Sequence, residues 1–267
     1  MPASSPVILW FRRDLRLADN PALHHALATG RAVLPVYVRD DRLEGRPIGA
    51  ASRWWLDKSL RALDADLRTR GGRLILRSGD AEAELRRLIE ETGADQVFMN
   101  RLFEPEAFAR DADIAHGLKA DGVECRGFNA SLMARPGAVL NGSGQPYKVF
   151  TPFLKALLTA AEAPAGRDAP ETILVPENVS SEAVEDWGLH PTRPDWSTGF
   201  VGTPGEAGAK SALEAFVAGG LRTYATDRDR PDRAGTSGLA AHLHGGEIGP
   251  WRAIEAVRTA AGAVQGA

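Results

Sequence analysis

Over about the first 130 residues, the chain alternates short, continuously apolar runs with longer stretches whose apolar residues recur at helical spacing. Val7-Ile8-Leu9-Trp10-Phe11, Ala32-Val33-Leu34-Pro35-Val36-Tyr37-Val38, Leu74-Ile75-Leu76 and Gln96-Val97-Phe98-Met99 show no outward polar alternation. Strands covered on both faces read this way. A fifth, weaker strand is expected over 123–128. Between them, a helix over 21–28 opens with Asn20 as its cap and Pro21 at its first position. In a second helix Trp55, Ser59, Leu60, Leu63 and Leu67 share a face, and Gly71-Gly72 ends it. Two more are expected over 81–91 and 105–120. Strand–helix alternation of this kind implies an α/β fold, a five-stranded parallel sheet with helices on both faces and right-handed crossovers.

The pattern then changes. Residues 134–205 are rich in Pro, Gly, Ser and Thr, with Pro164, Pro170, Pro176, Pro191, Pro194 and Pro204 spaced along them. They read as a linker with little regular structure that packs across the α/β unit and buries Tyr147, Phe150, Phe153 and Trp196. From 206 the period is helical again, through Ala209, Leu213, Phe216 and Val217, then 239–243 and 251–257. The chain therefore divides into an α/β domain (1–133), a linker (134–205) and a helical unit (206–267). The last is too small to enclose a large cofactor and a core together.

A formal net charge of −3 does not mark a nucleic-acid binder, so any DNA contact needs a local basic surface. Cys125 is the only cysteine, which suits a reducing compartment. Residues 1–6 are too short and polar for a secretory signal, and no run reaches the roughly 18 apolar residues of a membrane span. These features together imply a cytoplasmic protein.

Asp14, Arg16, Asp19 and Asn20 follow the first strand, where a parallel sheet places its ligands. Either Arg12, Arg13 and Arg16 pair with Asp14 and Asp19 to fix this turn, or they contact a ligand. The pairing reading is preferred. No Gly-x-Gly-x-x-Gly follows the strand, so the usual dinucleotide fingerprint is absent. Near the other end, Thr236-Ser237-Gly238-Leu239-Ala240 precedes a helical run. Its hydroxyls and first-turn N–H groups would suit a phosphate; the alternative is that Thr236 or Ser237 serves only as a helix cap. His24-His25 and His242-x-His244 have no Cys or carboxylate at metal-ligand spacing, so no metal site is expected. Trp54 and Trp55 read as one core and one boundary residue of their helix.

Three motifs in order carry a resemblance. The run from Leu9 through Trp10-Phe11-Arg12-Arg13-Asp14-Leu15-Arg16 to Asn20-Pro21-Ala22-Leu23 resembles the opening of the DNA photolyase/cryptochrome family. Pro136-Gly137-Ala138-Val139 and Tyr147-Lys148-Val149-Phe150-Thr151-Pro152-Phe153 are similar to that family's linker. Tyr224, Arg228, Asp229, Pro231, Gly235, Thr236, Ser237, Leu239 and Leu243 fit the start of its flavin domain.

The resemblance implies a Rossmann-like antenna domain, the linker and the truncated start of an all-α FAD-binding domain. Tyr224, Thr236, Ser237, Gly238, Leu239 and Ala240 would contact FAD. The implied activity is that of a deoxyribodipyrimidine photolyase, a carbon–carbon lyase that repairs cyclobutane pyrimidine dimers in damaged DNA with light and FAD. The lesion is flipped out of the duplex to reach the flavin. A truncated chain of this kind is expected to be monomeric and inactive alone. The alternatives are a cryptochrome-type blue-light photoreceptor and a non-catalytic α/β remnant. The family usually carries Arg after Thr-Ser and Ser after Leu, where this chain has Gly238 and Ala240. The antenna chromophore stays unassigned. Asn100-Arg101-Leu102-Phe103-Glu104-Pro105 resembles a segment near the antenna pocket, but Leu102 stands where deazaflavin users tend to have Asp. Glu106-Ala107 stands where folate users tend to have Asn-Glu. Arg53 is read as a solvated helix residue that could line such a pocket.

Overall fold

The structure, a computed structural model, describes residues 5–40 and 48–265. The expectations for residues 1–4, 41–47 and 266–267 lie outside the described residues. Five parallel strands form one sheet: β1 (Val7–Phe11), β2 (Val33–Arg39), β3 (Ile75–Ser78), β4 (Gln96–Asn100) and β5 (Glu124–Phe128), in the order β3-β2-β1-β4-β5. Helices α1 (Pro21–Leu27), α2 (Ala50–Arg68), α3 (Ala81–Thr92) and α4 (Pro105–Ala120) connect them. This is the Rossmann-like arrangement that the apolar runs imply.

The period-2 geometry of a strand sorts β1 between two cores. Val7, Leu9 and Phe11 pack with Leu23 of α1 and Leu60, Leu63 and Leu67 of α2. Ile8 and Trp10 pack on the other face with Leu85 and Leu88 of α3 and Ile114 and Leu118 of α4. Helix starts follow the sequence. The Asn20 Oδ1 accepts from the Leu23 N–H (3.1 Å) behind Pro21, and Asp80 caps α3. Trp54 is core at 8% exposure, whereas Trp55 stays partly exposed.

The linker departs from expectation twice. It contains an eleven-residue helix, α5 (Phe150–Ala160). The one proline in α5, Pro152, falls in its first turn, where a missing N–H breaks no intrahelical bond. Nor are the aromatics buried as a group: Phe150 is 70% exposed and Trp196 sits at the surface, while Tyr147 and Phe153 are half-buried. Packing across the α/β unit comes from later residues instead. Ile173, Val184, Trp187 and Leu189 join the core on the α1/α2 face, and the Glu182 N–H donates to the Leu76 carbonyl (2.9 Å).

After the linker come α6 (Glu206–Ala215), a π-turn at Phe216–Gly220, α7 (Leu221–Asp227), α8 (Ala240–Gly245) and α9 (Pro250–Gln265). Their own core is small: Ala209, Leu213, Leu239 and Ile248. No described helix is long and apolar enough to cross a membrane.

Candidate functional site

Strand order reverses around β1, and a ligand crevice forms beyond carboxyl ends at such a switch point. The loop after β1 is built by buried polar contacts. The Arg12 backbone N–H donates to Asp14 Oδ1 (2.7 Å), and Asn100, at the end of β4, donates to Asp14 Oδ2 (2.7 Å). The Arg12 guanidinium meets Asp111 of α4 (2.9 Å) and the Asn100 carbonyl. Burial pulls this guanidinium below its ordinary pKa, against the raising influence of Asp111 and Asp14. Arg16 donates to the carbonyls of Asp19, Ala130 and Gly246, and Arg13 reaches Glu104. The arginines therefore serve structure, as the sequence suggests. Their partners, however, lie mostly far along the chain rather than on the Asp14 and Asp19 carboxylates.

Above this loop lies a cavity of about 1070 Å³. Trp10, Arg12 and Tyr37 form its floor at the ends of β1 and β2, Trp55 stands on the α2 side, and Arg110 stands on the α4 side. The opposite wall comes from the end of the linker and the helical segment, including Thr203, Ala207, Gly238 and His242. Arg12, Arg13, Arg39 and Arg110 line the cavity against one carboxylate, Asp40, among the described residues. The Arg12 side chain stacks over Trp10, 4.1 Å from the ring centroid. Trp10 Nε1 and Arg12 Nε are buried donors without a hydrogen-bond partner. Both atoms are closed off from the cavity as well as from bulk solvent, so it is the ring face of Trp10 and the terminal guanidinium edge of Arg12 that border it. Trp10, Tyr37 and Trp55 give the cavity aromatic faces, while Arg12 and Arg110 at its edge are already paired with Asp111.

The helical segment is held against this loop at close quarters. Leu15 N–H donates to the Gly245 carbonyl (3.1 Å), and Glu206 accepts from the N–H groups of Leu17 (2.7 Å) and Ala18 (3.2 Å). At Gly246, φ is +68°, and an added Cβ would lie 2.0 Å from the Arg13 carbonyl oxygen, so only glycine fits. Glu247, next in sequence, is fully buried between α2 and α8. Sequence reasoning missed it, because its partners Trp55, Ser59 and His242 meet only in the fold.

The residues that the resemblance assigns to FAD are placed differently. Tyr224 is 39% exposed and packs its ring on Phe216. Thr236, Gly238 and Ala240 are exposed and Ser237 is half-buried. Leu239 is buried, and its side chain packs in the helical core. The helix opened by this loop, α8, has six residues, too few for a strong dipole. The strip thus offers hydroxyls and N–H groups along one open edge, and the described residues do not enclose a ligand of FAD's size there. Gly238 alone among these residues borders the large cavity. None of residues 100–107 lines the cavity, and Arg53 is exposed on α2. No group of three or more His, Cys, Asp or Glu side chains able to hold a metal exists among the described residues.

Comparison with known proteins bears on this geometry. The DNA photolyase family profile matches residues 7–172, more than half of the chain. The chain belongs to the DNA photolyase family. It is 44% identical over 258 residues to a deoxyribodipyrimidine photo-lyase of Agrobacterium fabrum, covering 94% of this chain and 53% of that protein. Identity to cryptochrome-1 of Arabidopsis thaliana is 35% over 256 residues, covering 94% of this chain and 37% of that protein. A solved bacterial class III photolyase from Agrobacterium tumefaciens superimposes with a TM-score of 0.91 at 43% identity, covering 96% of this chain and 53% of that one. The chain spans about half the length of the photolyase relatives it matches.

Proposed function

We propose that this chain is the chromophore-bearing α/β portion, with linker and first helices, of a photolyase-type protein serving light-driven, FAD-dependent repair of pyrimidine dimers in DNA. One observation carries the reading: a cavity of about 1070 Å³ at the switch point, with Trp10, Tyr37 and Trp55 in its lining and its opposite wall supplied by the helical segment. Its volume is at the upper end of the range for small-molecule sites. The occupant we assign is a flavin-sized, planar heteroaromatic compound with an anionic tail. Arg110 on the α4 side faces its charge, and the Trp55 ring supplies a face for stacking.

FAD at the other site supplies the electron chemistry of the family when bound. Tyr224, Thr236, Ser237, Gly238 and the Ala240 backbone would touch its phosphate side, but this open edge does not fit the whole group. Retention of FAD and repair therefore call for protein surface beyond these residues. The 44% identity to a photo-lyase favours repair over the photoreceptor role suggested by 35% identity to a cryptochrome.

The test is a titration of the purified 267-residue chain with FMN, following tryptophan emission. Saturable quenching that weakens in Arg110→Ala supports the cavity as the site. No binding, or binding indifferent to Arg110, would overturn the reading.

A further inference from the structure

We propose that Glu247 is a positioning residue that couples occupancy of the cavity to docking of the helical segment on the α/β domain; this rests on the ligand-site reading of the cavity given above. The cavity has two walls that are distant in sequence. One belongs to the α/β domain, with Trp10 and Trp55, and the other to residues 201–212 and 238–245. A ligand contacts both only while the helical segment is seated.

Glu247 ties the two walls together. Its side chain is 0% exposed and accepts from four donors on three parts of the chain. Trp55 Nε1–H (3.1 Å) and the Ser59 hydroxyl come from α2, the Gly205 N–H (2.8 Å) comes from the linker's end, and His242 Nδ1 (2.5 Å) comes from α8. Trp55, Ser59 and His242 are themselves cavity-lining residues, and the Trp55 and His242 rings meet edge-to-face at 5.0 Å. The carboxyl group that holds α8 against α2 therefore also sets the angle of the cavity's aromatic wall.

The arrangement is close to all-or-none. A wholly buried carboxyl group is tolerated only with its donors in place, so a small displacement of α8 strips partners from it. The other bonds of the helical segment reach the loop after β1: Leu15 to Gly245, Glu206 to Leu17 and Ala18, and Arg252 to Asp19 (2.8 Å). These fix the segment to that loop, and Glu247 adds the registration on α2 that closes the cavity. A ligand that prefers the closed wall must stabilise docking, and docking must tighten the ligand by the same factor.

The experiment uses the full 267-residue chain, with FMN as the probe and tryptic cleavage at Lys210 and Arg222 as the report on docking. In wild type, saturating FMN should slow that cleavage about tenfold. Glu247→Ala should weaken FMN by about tenfold and abolish the protection. Glu247→Gln keeps an oxygen for Trp55, Ser59 and Gly205 and should stay within about threefold of wild type. Ser59→Ala removes a single small donor and serves where Glu247→Ala fails to fold; it should weaken FMN and protection together, with the circular dichroism spectrum unchanged. Unchanged FMN affinity in Glu247→Ala, or in Ser59→Ala if that variant decides, overturns the coupling and leaves the ligand site standing. Failure of wild type to bind FMN overturns the ligand site and the coupling with it.

Discussion

Arg12 is a cation almost wholly withdrawn from water, with 4% of its side chain exposed, and Asp111 is its charged partner at 2.9 Å. Such a pair gains little over apolar packing but is costly to break from one side. Asp111→Ala should destabilise the chain by about 3–5 kcal/mol, because the guanidinium stays buried without its counter-charge. Urea unfolding of this variant and of Asp111→Asn checks it, with the Asn variant expected to lose less. A loss below about 1 kcal/mol, typical of an exposed pair, would refute it. The histidines make a second prediction. Burial first, then Arg167 for His24 and Arg13 for His244, holds both below the ordinary 6.5. In the window below 6.5 the unfolded chain then binds more protons, so this stability is complete above that pH and is lost as pH falls. Burial raises Glu206, which works with the opposite sign: stability is greatest below 4.5 and lost as pH rises through the higher folded value. The melting temperature should therefore drop between about pH 7 and pH 5.5, and replacing His24 and His244 by Gln should flatten the slope. An unaltered slope in the double variant would show that other groups set it.

At the scale of elements, the linker splits into two kinds of chain. Around 170–190 it carries Ile173, Val184 and Trp187 into the core, whereas residues 137–150 and the face of α5 around Phe150 lie in solvent. Limited chymotryptic proteolysis should cut first at Phe150 or Phe153 and spare Trp187, which is buried in the core. Equal rates at these three sites would contradict the division. The same contrast explains what the sequence could reveal. Strands β1 to β4 were legible because runs such as Val7 to Phe11 are apolar on both faces, and α1 was legible from the Asn20-Pro21 pair. Helix α5 was not, since Pro and Gly counts over a long window hide an unbroken eleven-residue stretch with Pro152 in a permitted place. The site was legible only in part. The position after β1 was evident, but Arg12's pairing with Asp111 spans 99 residues and the link from Ser59 to Glu247 spans 188. Local spacing carries no trace of such contacts.

For the whole molecule, the question is what the chain holds by itself. The cavity at the switch point and the strip at 224–240 differ in construction. The cavity has walls from both ends of the sequence and an aromatic lining at Trp10, Tyr37 and Trp55. The strip at Tyr224 and 236–240 is an open edge, with Tyr224 39% exposed and Leu239 turned into the helical core. Sites for large ligands bury most of the ligand's surface, and an open edge with Gly238 and Ala240 in place of Arg and Ser has few groups with which to do so. We therefore expect the purified 267-residue chain to lose FAD on gel filtration and to show no light-dependent repair of thymine dimers, while still binding FMN in the cavity. Absorbance near 450 nm after purification, set against the FMN titration, separates the two sites. A chain that emerges yellow with near-stoichiometric FAD would mean that the exposed strip suffices. Installing Arg at 238 and Ser at 240 should then leave affinity unchanged, because backbone N–H groups alone would be holding the phosphates. If the strip is the weak edge described here, Ala240→Ser alone, at a residue that does not border the cavity, should tighten FAD measurably without altering FMN binding beside Arg110.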